Sequence, residues 1–134
     1  MPSAIGIDLV DIERIKKLRE KFKERFENKH FTETERDYSN AKPRPELHYA
    51  ARYAAKEAFV KALGTGLTKG IRLKDIGVRN ELSGQPIIEV SGKAAEIVRE
   101  RHITEIRTSL THTHTQAIAV VVIVFPQDRQ IPSE

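Results

Sequence analysis

The spacing of apolar residues predicts a strand followed by an amphipathic helix near the start of the chain. Residues 4–10 are mostly aliphatic and follow Pro2, which is typical of a short strand. Over 11–29 the apolar residues recur every three or four positions, the period of a helix with one buried face. They are Ile12, Ile15, Leu18, Phe22 and Phe26. We therefore expect one continuous helix over 11–29.

Capping residues, proline and glycine set the limits of two further helices. The segment 32–35 (Thr-Glu-Thr-Glu) has the capping-box pattern and predicts a short helix that ends near Asn40. Pro45 suits the first turn of the next helix, because a residue there needs no N–H donor. That helix is predicted over about 46–63, is rich in alanine and stops at Gly64. Alanine lets neighbouring backbones approach closely, so we expect this helix at the centre of the fold.

The second half of the chain is predicted to contain two hairpins with a helix between them. Strands are predicted over 76–79, 86–90, 106–111 and 117–125. Ser91 is expected to cap the intervening helix. The last strand is almost wholly β-branched, as in a strand buried on both faces. We predict one α+β domain over 1–125, a small antiparallel sheet packed with a long central helix and shorter helices, and a polar tail over 126–134.

Composition excludes several classes of protein. The 134 residues are enough for one domain with a single core. The chain has no cysteine, which excludes a disulfide scaffold, a thiolate zinc site and a cysteine nucleophile. The longest apolar run, 117–125, has nine residues, whereas a membrane-spanning helix needs about 20. The N-terminal residues lack the pattern of a secretory signal, so we expect no membrane association and a cytoplasmic location.

Positive charge is modest overall but segregated on the first helix. Lys and Arg outnumber Asp and Glu by 23 to 19, a net charge of +4 at pH 7. A nucleic-acid-binding module is disfavoured, because aromatic residues that could stack on bases make up only 6% of the chain. At about 100° per residue, basic side chains form a stripe beside the apolar face of this helix. They are Arg14, Lys17, Lys21 and Arg25.

Two carboxylates and one lysine are candidates for the chemistry of a site. Asp8 lies near the end of the first predicted strand, where the chain passes into the helix, and a carboxylate there can hold Mg²⁺ together with phosphate oxygens; the alternative is an acid that stabilises the start of the next helix. Glu57 and Lys61 are four residues apart and share a face with Ala50 and Ala54. The pair could be an ordinary surface ion pair worth about 0.3–0.5 kcal/mol. An alanine-lined face, however, indicates close packing or a cleft, where a charged pair needs a partner.

Two other segments could bind phosphate. The turn Gly64-Thr65-Gly66 can expose backbone N–H groups, although it is not a P-loop and can simply end a helix. Residues 109–115 bring hydroxyl groups and two imidazoles to a hairpin corner, either as a phosphate grip or as a threonine-rich edge strand. Carboxylates for a divalent cation, one lysine and a donor-rich corner together point to phosphoryl-transfer chemistry.

Three blocks of the sequence resemble the bacterial holo-acyl-carrier-protein synthases, the short class of 4′-phosphopantetheinyl transferases. The blocks are Gly6-Ile7-Asp8, the segment 52–66 with its Lys-Glu-Ala-x-x-Lys-x-x-Gly-x-Gly pattern, and Ser109-Leu110-Thr111-His112-Thr113. The resemblance spans residues 4–125. It implies transfer of phosphopantetheine from coenzyme A to a serine of apo-acyl carrier protein, with release of adenosine 3′,5′-bisphosphate, in fatty acid biosynthesis.

The resemblance also implies roles for individual residues. Asp8 and Glu57 should bind Mg²⁺, and Lys61 should neutralise charge on the transferred phosphate or its leaving group. The serine proton should go to Glu57 or to a water that the metal activates; the sequence leaves both open. Coenzyme A should be bound by Arg52, Lys61, Gly64, Gly66, Thr111, His112 and Thr113.

Docking and assembly are implied in the same way. The family binds acidic carrier proteins through its first helix, which here offers the basic stripe together with Leu18 and Phe22. Its short members are homotrimers with active sites at subunit interfaces, so we expect Asp8 and Glu57 from one subunit to face His112 of the next.

A scaffold that binds coenzyme A without turnover is the rival interpretation, and the intact Asp8, Glu57 and Lys61 argue against it. His114 has no role in the family pattern.

Overall fold

The chain folds into five strands and five α-helices within residues 2–64 and 70–126, the ranges that the computed structural model describes. The strands are β1 (Ser3–Asp11), β2 (Ile76–Asn80), β3 (Pro86–Val90), β4 (Glu105–His112) and β5 (Gln116–Val124). The helices are α1 (Ile12–Phe22), α2 (Glu24–His30), α3 (Glu33–Asn40), α4 (Pro45–Leu63) and α5 (Gly92–Glu100). A 3-10 turn, Leu73–Asp75, precedes β2.

Two antiparallel sheets and one central helix make up the architecture. One sheet has the order β1-β5-β4 and the other is the β2-β3 hairpin. Helix α4 packs across β1 and β5, and four side chains of β5 are buried against it: Ala117, Ala119, Val121 and Ile123. The predicted α+β class and the long central helix are confirmed. No helix within the described ranges is long and apolar enough to cross a membrane.

Local sequence signals set the limits of α3 and α4 as predicted. Thr32 and Glu35 form a complete capping box: the N–H of Thr32 donates to Oε1 of Glu35 at 2.8 Å, and the N–H of Glu35 donates to Oγ1 of Thr32 at 3.2 Å. Pro45 is the first residue of α4, and Gly64 ends it in the left-handed conformation at φ 76°. Ser91 precedes α5, but its side chain makes no capping hydrogen bond.

The predicted continuous helix over 11–29 is wrong, because the chain turns at Lys23. This residue has φ 51° and ψ −131°, and its N–H donates to the carbonyl of Arg19 at 2.8 Å, which closes α1. The turn starts α2 in a new direction and brings the Phe26 ring to 5.8 Å from the Phe31 ring. A positive φ at lysine is uncommon and leaves no signature in the sequence.

The prediction that β5 is buried on both faces is also wrong for the single chain. Its inner face is buried, whereas Ile118, Val120, Val122 and Val124 on its outer face are only half-buried. The neighbouring strand β1 exposes Ile5, Ile7 and Leu9 on the same side, with exposed fractions of 68%, 61% and 52%. We call these seven residues the outer apolar face. The β-branched side chains of β5 indicate burial on both faces of the strand, but in one chain those on the outer side form part of an exposed apolar surface.

Candidate active site

The candidate active site forms where strand β1 passes over helix α4. Gly6 lies directly against the backbone of Ala58 and Ala62, so no side chain separates strand from helix at this point. Asp8 is two residues further along β1 and faces the same side, because alternate residues of a strand point the same way. Glycine on the strand and alanine on the helix therefore bring Asp8 to the helix face that carries Glu57 and Lys61.

Asp8 and Lys61 form an ion pair. The Nζ atom of Lys61 lies 2.8 Å from Oδ1 of Asp8 and donates a second hydrogen bond, of 3.1 Å, to the carbonyl of Ile7. The Asp8 side chain is 15% exposed and the Lys61 side chain is 55% exposed. The hydrogen bond and charge of Asp8 raise the pKa of Lys61 above its usual value. Lys61 is therefore a cation that a substrate can reach from solvent.

Glu57 is the second carboxylate of the site. Burial raises the pKa of Glu57, the negative charge of Asp8 raises it further, and Lys61 and Arg14 oppose both effects. Two carboxylates that repel each other in this way favour a cation between them. Mg²⁺ is commonly held by one or two carboxylates and by substrate phosphates, so this donor set fits the ion. Within the described ranges, no cluster of three or more His, Cys, Asp or Glu residues offers a site made by protein alone.

Tyr53 and Arg14 border this acidic pair. Tyr53 lies one helical turn before Glu57, and burial together with the Glu57 charge raises the pKa of its hydroxyl. The guanidinium carbon of Arg14 lies 6.0 Å from the centre of the Tyr53 ring. Arg14, predicted only as a docking residue, is thus close enough to influence Glu57. Tyr53 was not among the predicted site residues, although its spacing of four from Glu57 places it on the same helix face.

A groove with a basic rim lies between α1, α2 and α4, next to Tyr53. It has a volume of about 320 Å³ and its apolar wall is formed by Leu18, Phe22, Phe26 and Tyr53. Two cations flank the ring of Phe22: Nζ of Lys21 at 5.2 Å and the guanidinium carbon of Arg25 at 5.6 Å. The predicted basic stripe is divided by the turn at Lys23, because Arg25 lies on α2 and not on α1. Its four members, Arg14, Lys17, Lys21 and Arg25, are all exposed and lie around this open apolar surface.

Arg52 is buried, unlike the other predicted site residues that the structure describes. Its Nη1 donates to the carbonyl of His48 at 3.2 Å, Nη2 donates to Oδ1 of Asn80, and the guanidinium carbon lies 4.2 Å from the centre of the Tyr38 ring. Its Nε has no hydrogen-bond partner among the described residues. The guanidinium is therefore held between α3, α4 and the end of β2.

The predicted phosphate corner lies at the end of β4. Thr111, His112 and Thr113 are exposed, and Oγ1 of Thr113 accepts hydrogen bonds from the N–H groups of Thr115 and Gln116, which shape the turn into β5. Burial lowers the pKa of His48, and the charges of Arg52, Lys42 and His112 lower it further. Arg52 and Lys42 therefore form a cationic region near the first turns of α4, and His112 lies close to it.

The glycine turn is described only at its first residue. The N–H of Gly64 donates to the carbonyls of Val60 and Lys61, so this glycine ends α4. Of the two roles that the sequence allows for the turn, the end of a helix is the one seen at this residue. Gly66 lies outside the described residues.

Comparison with known proteins gives the family. A model of the 4′-phosphopantetheinyl transferase superfamily matches residues 4–121. The holo-acyl-carrier-protein synthase of Syntrophus aciditrophicus is 47% identical over 123 residues, which cover 92% of this chain and 96% of that protein. The synthase of Caulobacter vibrioides is 50% identical, over 89% and 92% of the two chains. The chain belongs to the holo-acyl-carrier-protein synthase family, within that superfamily.

Solved structures of this family share the fold. The synthase of Helicobacter pylori in complex with coenzyme A superposes with a TM-score of 0.80 at 32% identity, over 90% of this chain and 99% of that one. The family and the enzyme class predicted from three sequence blocks are confirmed. The roles assigned to individual residues stay predictions.

Proposed function

We propose that this chain transfers the 4′-phosphopantetheine group of coenzyme A to a serine of apo-acyl carrier protein, in fatty acid biosynthesis and in the cytoplasm. The observation that carries the proposal is the cluster of Asp8, Glu57 and Lys61 at the contact of β1 with α4, in a chain of this family. It combines two carboxylates with an accessible cation, which are the parts that phosphoryl transfer needs.

The reaction exchanges one phosphorus–oxygen bond for another. The serine oxygen attacks the phosphorus that carries pantetheine, the bond from this phosphorus to the bridging oxygen breaks, and adenosine 3′,5′-bisphosphate leaves. The serine proton passes to Glu57 or to a water beside it. Asp8 and Glu57 would hold Mg²⁺, which when bound neutralises charge on the pyrophosphate. Lys61 exchanges its contact with Asp8 for one with the phosphate or the leaving group, which its exposure permits.

The cationic region near α4 is proposed to bind the nucleotide end of coenzyme A. Arg52 contributes a buried positive charge there, and the Thr111-His112-Thr113 corner supplies exposed hydroxyl and imidazole groups. Gly64 and Gly66 would line the nucleotide from the end of α4.

The carrier protein is proposed to dock on α1 and the first turn of α2. Acyl carrier proteins are acidic, so the exposed residues Arg14, Lys17, Lys21 and Arg25 would attract them by charge. Leu18 and Phe22 open into the groove and supply an apolar contact inside this basic rim. The groove ends at Tyr53, beside Glu57, which would place the carrier serine near the carboxylates.

A homotrimer is proposed as the working form. The outer apolar face exposes Ile5, Ile7 and Leu9 beside the half-buried side chains of β5, and such a continuous apolar surface favours burial between subunits. Assembly would bring the His112 corner of one subunit to the Asp8–Glu57 cluster of another.

The experiment is the intact mass of an apo-acyl carrier protein after incubation with this chain, coenzyme A and Mg²⁺. We expect a gain of one phosphopantetheine, abolished by EDTA, and parallel reactions with fatty-acid and polyketide carriers identify the preferred partner. If calorimetry showed coenzyme A binding but no carrier gained mass, the chain would be a coenzyme A-binding scaffold and the proposed activity would be wrong.

A further inference from the structure

Lys56, the residue before Glu57, is a fully buried cation whose donors are all used. Its Nζ lies 2.7 Å from Oε1 of Glu35, 2.6 Å from the carbonyl of Ile76 and 3.1 Å from the carbonyl of Leu73. The exposed fraction of both charged side chains is 0%. An ammonium group has three N–H donors, and each has an acceptor here.

The acceptor of this lysine is itself fixed on both oxygens. Oε1 of Glu35 also accepts the N–H of Thr32 at 2.8 Å, and Oε2 accepts the N–H of Val78 at 2.9 Å. Glu35, which caps α3, is thus both the counter-ion of Lys56 on α4 and the acceptor for a main-chain N–H of β2. One carboxylate therefore joins α3 and β2 to the residue of α4 that precedes Glu57.

Stability alone does not account for a buried pair of this kind. Taking two charges out of water costs several kcal/mol per ion, and apolar residues of similar volume are often as stable or more so. A directional pair does fix geometry, however, because its hydrogen bonds are satisfied in only one orientation of the helix.

The geometry that it fixes is the rotation of α4 about its axis. Ala58, which contacts Gly6 of β1, is two residues after Lys56 and therefore about 200° further around the helix. The helix is held on two nearly opposite sides, by Lys56 on one and by the backbone contact with β1 on the other. Glu57 lies between them, at about 100° from each, so these two contacts together determine where its carboxylate points.

We propose that Lys56 is a positioning residue of the transfer reaction, acting through Glu57 by fixing the rotation of α4 against β1. The inference rests on the proposed function. Leu73 and Ile76 follow the Gly64 turn in the chain, so the same ammonium also ties the segment after that turn to α4. None of the hydrogen bonds of Lys56 and Glu35 named here reaches α1, which carries most of the basic residues proposed to dock the carrier protein.

The test uses the variant Lys56→Met/Glu35→Gln, which removes both buried charges and leaves an amide oxygen for one of the two main-chain donors. We expect it to fold, with a kcat lower by about 10- to 100-fold, as for a misplaced catalytic group, and a KM for the carrier protein within about twofold of wild type. In the presence of coenzyme A, the affinity for Mn²⁺, measured by electron paramagnetic resonance, should also fall. Glu35→Asp keeps both charges but shortens the reach of the carboxylate, so it should show the same split to a smaller degree, and it provides the test if the double variant fails to fold.

The matched control is Ile97→Ala, which removes buried volume on α5 and lowers the unfolding midpoint without altering the hold on α4. Its kcat and Mn²⁺ affinity should stay near wild type. A folded double variant with wild-type kcat and Mn²⁺ affinity would overturn the role of Lys56. Failure of the wild-type chain to modify any carrier would instead refute the proposed function, so the two failures are distinct.

Discussion

A β-carbon at Gly6 would lie 1.9 Å from the main-chain oxygen of Ala58. It would also lie 2.7 Å from the nitrogen of Ala62, and neither atom belongs to a side chain that could move aside. Strand β1 and helix α4 are therefore in backbone contact. This contact brings Asp8 within 2.8 Å of Lys61, so the absence of one side chain makes the candidate site possible.

Substitution of Gly6 by alanine should separate the strand from the helix. We expect Gly6→Ala to lower the free energy of unfolding by about 3 kcal/mol, at the upper end of the usual cost of overpacking, and to reduce transfer activity strongly. Chemical denaturation and the carrier-mass assay measure the two effects. Gly77→Ala is the control, because its β-carbon would meet its nearest neighbours at 3.4 Å, and it should cost less than about 1 kcal/mol. Equal losses of stability and activity in both variants would show that the backbone contact at Gly6 does not hold β1 against α4.

Sequence signals that act within one turn of helix predicted the fold well. The capping box at Thr32 and Glu35, the proline that begins α4 and the glycine that ends it are each satisfied by neighbours a few residues away. The candidate site was predicted from residue chemistry and from family resemblance. In the folded chain Asp8 and Lys61 form an ion pair although they are 53 residues apart in the sequence.

Features that depend on distant partners could not be predicted in this way. Nothing in segment 32–35 indicates that the capping glutamate also binds Lys56, 21 residues further along. The turn at Lys23 depends on how α2 packs, and no glycine or proline marks it. The burial of β5 depends on what covers its outer side, which its own β-branched sequence cannot tell.

The outer apolar face predicts a second testable property. Ile7→Lys places a charge in the proposed subunit contact and should shift the sedimentation coefficient from that of a trimer to that of a monomer, with loss of transfer activity. Leu82→Lys makes the same change at a fully exposed leucine between β2 and β3, and should leave both unchanged. A wild-type chain that sediments as a monomer at assay concentrations would contradict the proposed trimer.

Carrier docking should depend on which side of α1 carries the charge. Reversal at Lys17 or Lys21 should raise the KM for carrier protein by about 3- to 10-fold at low salt, and less at high salt, because exposed charges are screened. Lys16→Glu changes the same charge on the opposite flank of the helix and should have little effect on steady-state kinetics. If all three variants behaved alike, net charge rather than the basic stripe would govern docking.

Two histidines should make the fold less stable as the pH falls. Burial lowers the pKa of His30 and of His48 below the usual value of 6.5, and nearby cations add to the effect. The unfolded chain therefore takes up these protons first, so stability decreases as the pH falls from about 7.5 through 6.5 towards the folded pKa values. The variant His30→Phe/His48→Phe should lose part of this decrease in thermal unfolding between pH 7.5 and 5.5.

The exposed His114 provides the control for this comparison. His114→Gln should keep the wild-type dependence of the unfolding midpoint on pH. An unchanged dependence in the His30→Phe/His48→Phe variant would assign the acid destabilisation to other groups.

The most direct test of the reaction centre is the initial rate of carrier mass gain for Glu57→Gln against Glu96→Gln. Both replace one carboxylate by an amide, but Glu96 is exposed on α5, whereas Glu57 shares the site of Asp8 and Lys61. With coenzyme A and Mg²⁺ at saturation, Glu57→Gln should be slower than wild type by about 100-fold or more, and Glu96→Gln should match wild type. A Glu57→Gln rate equal to that of wild type would show that the chemistry takes place elsewhere.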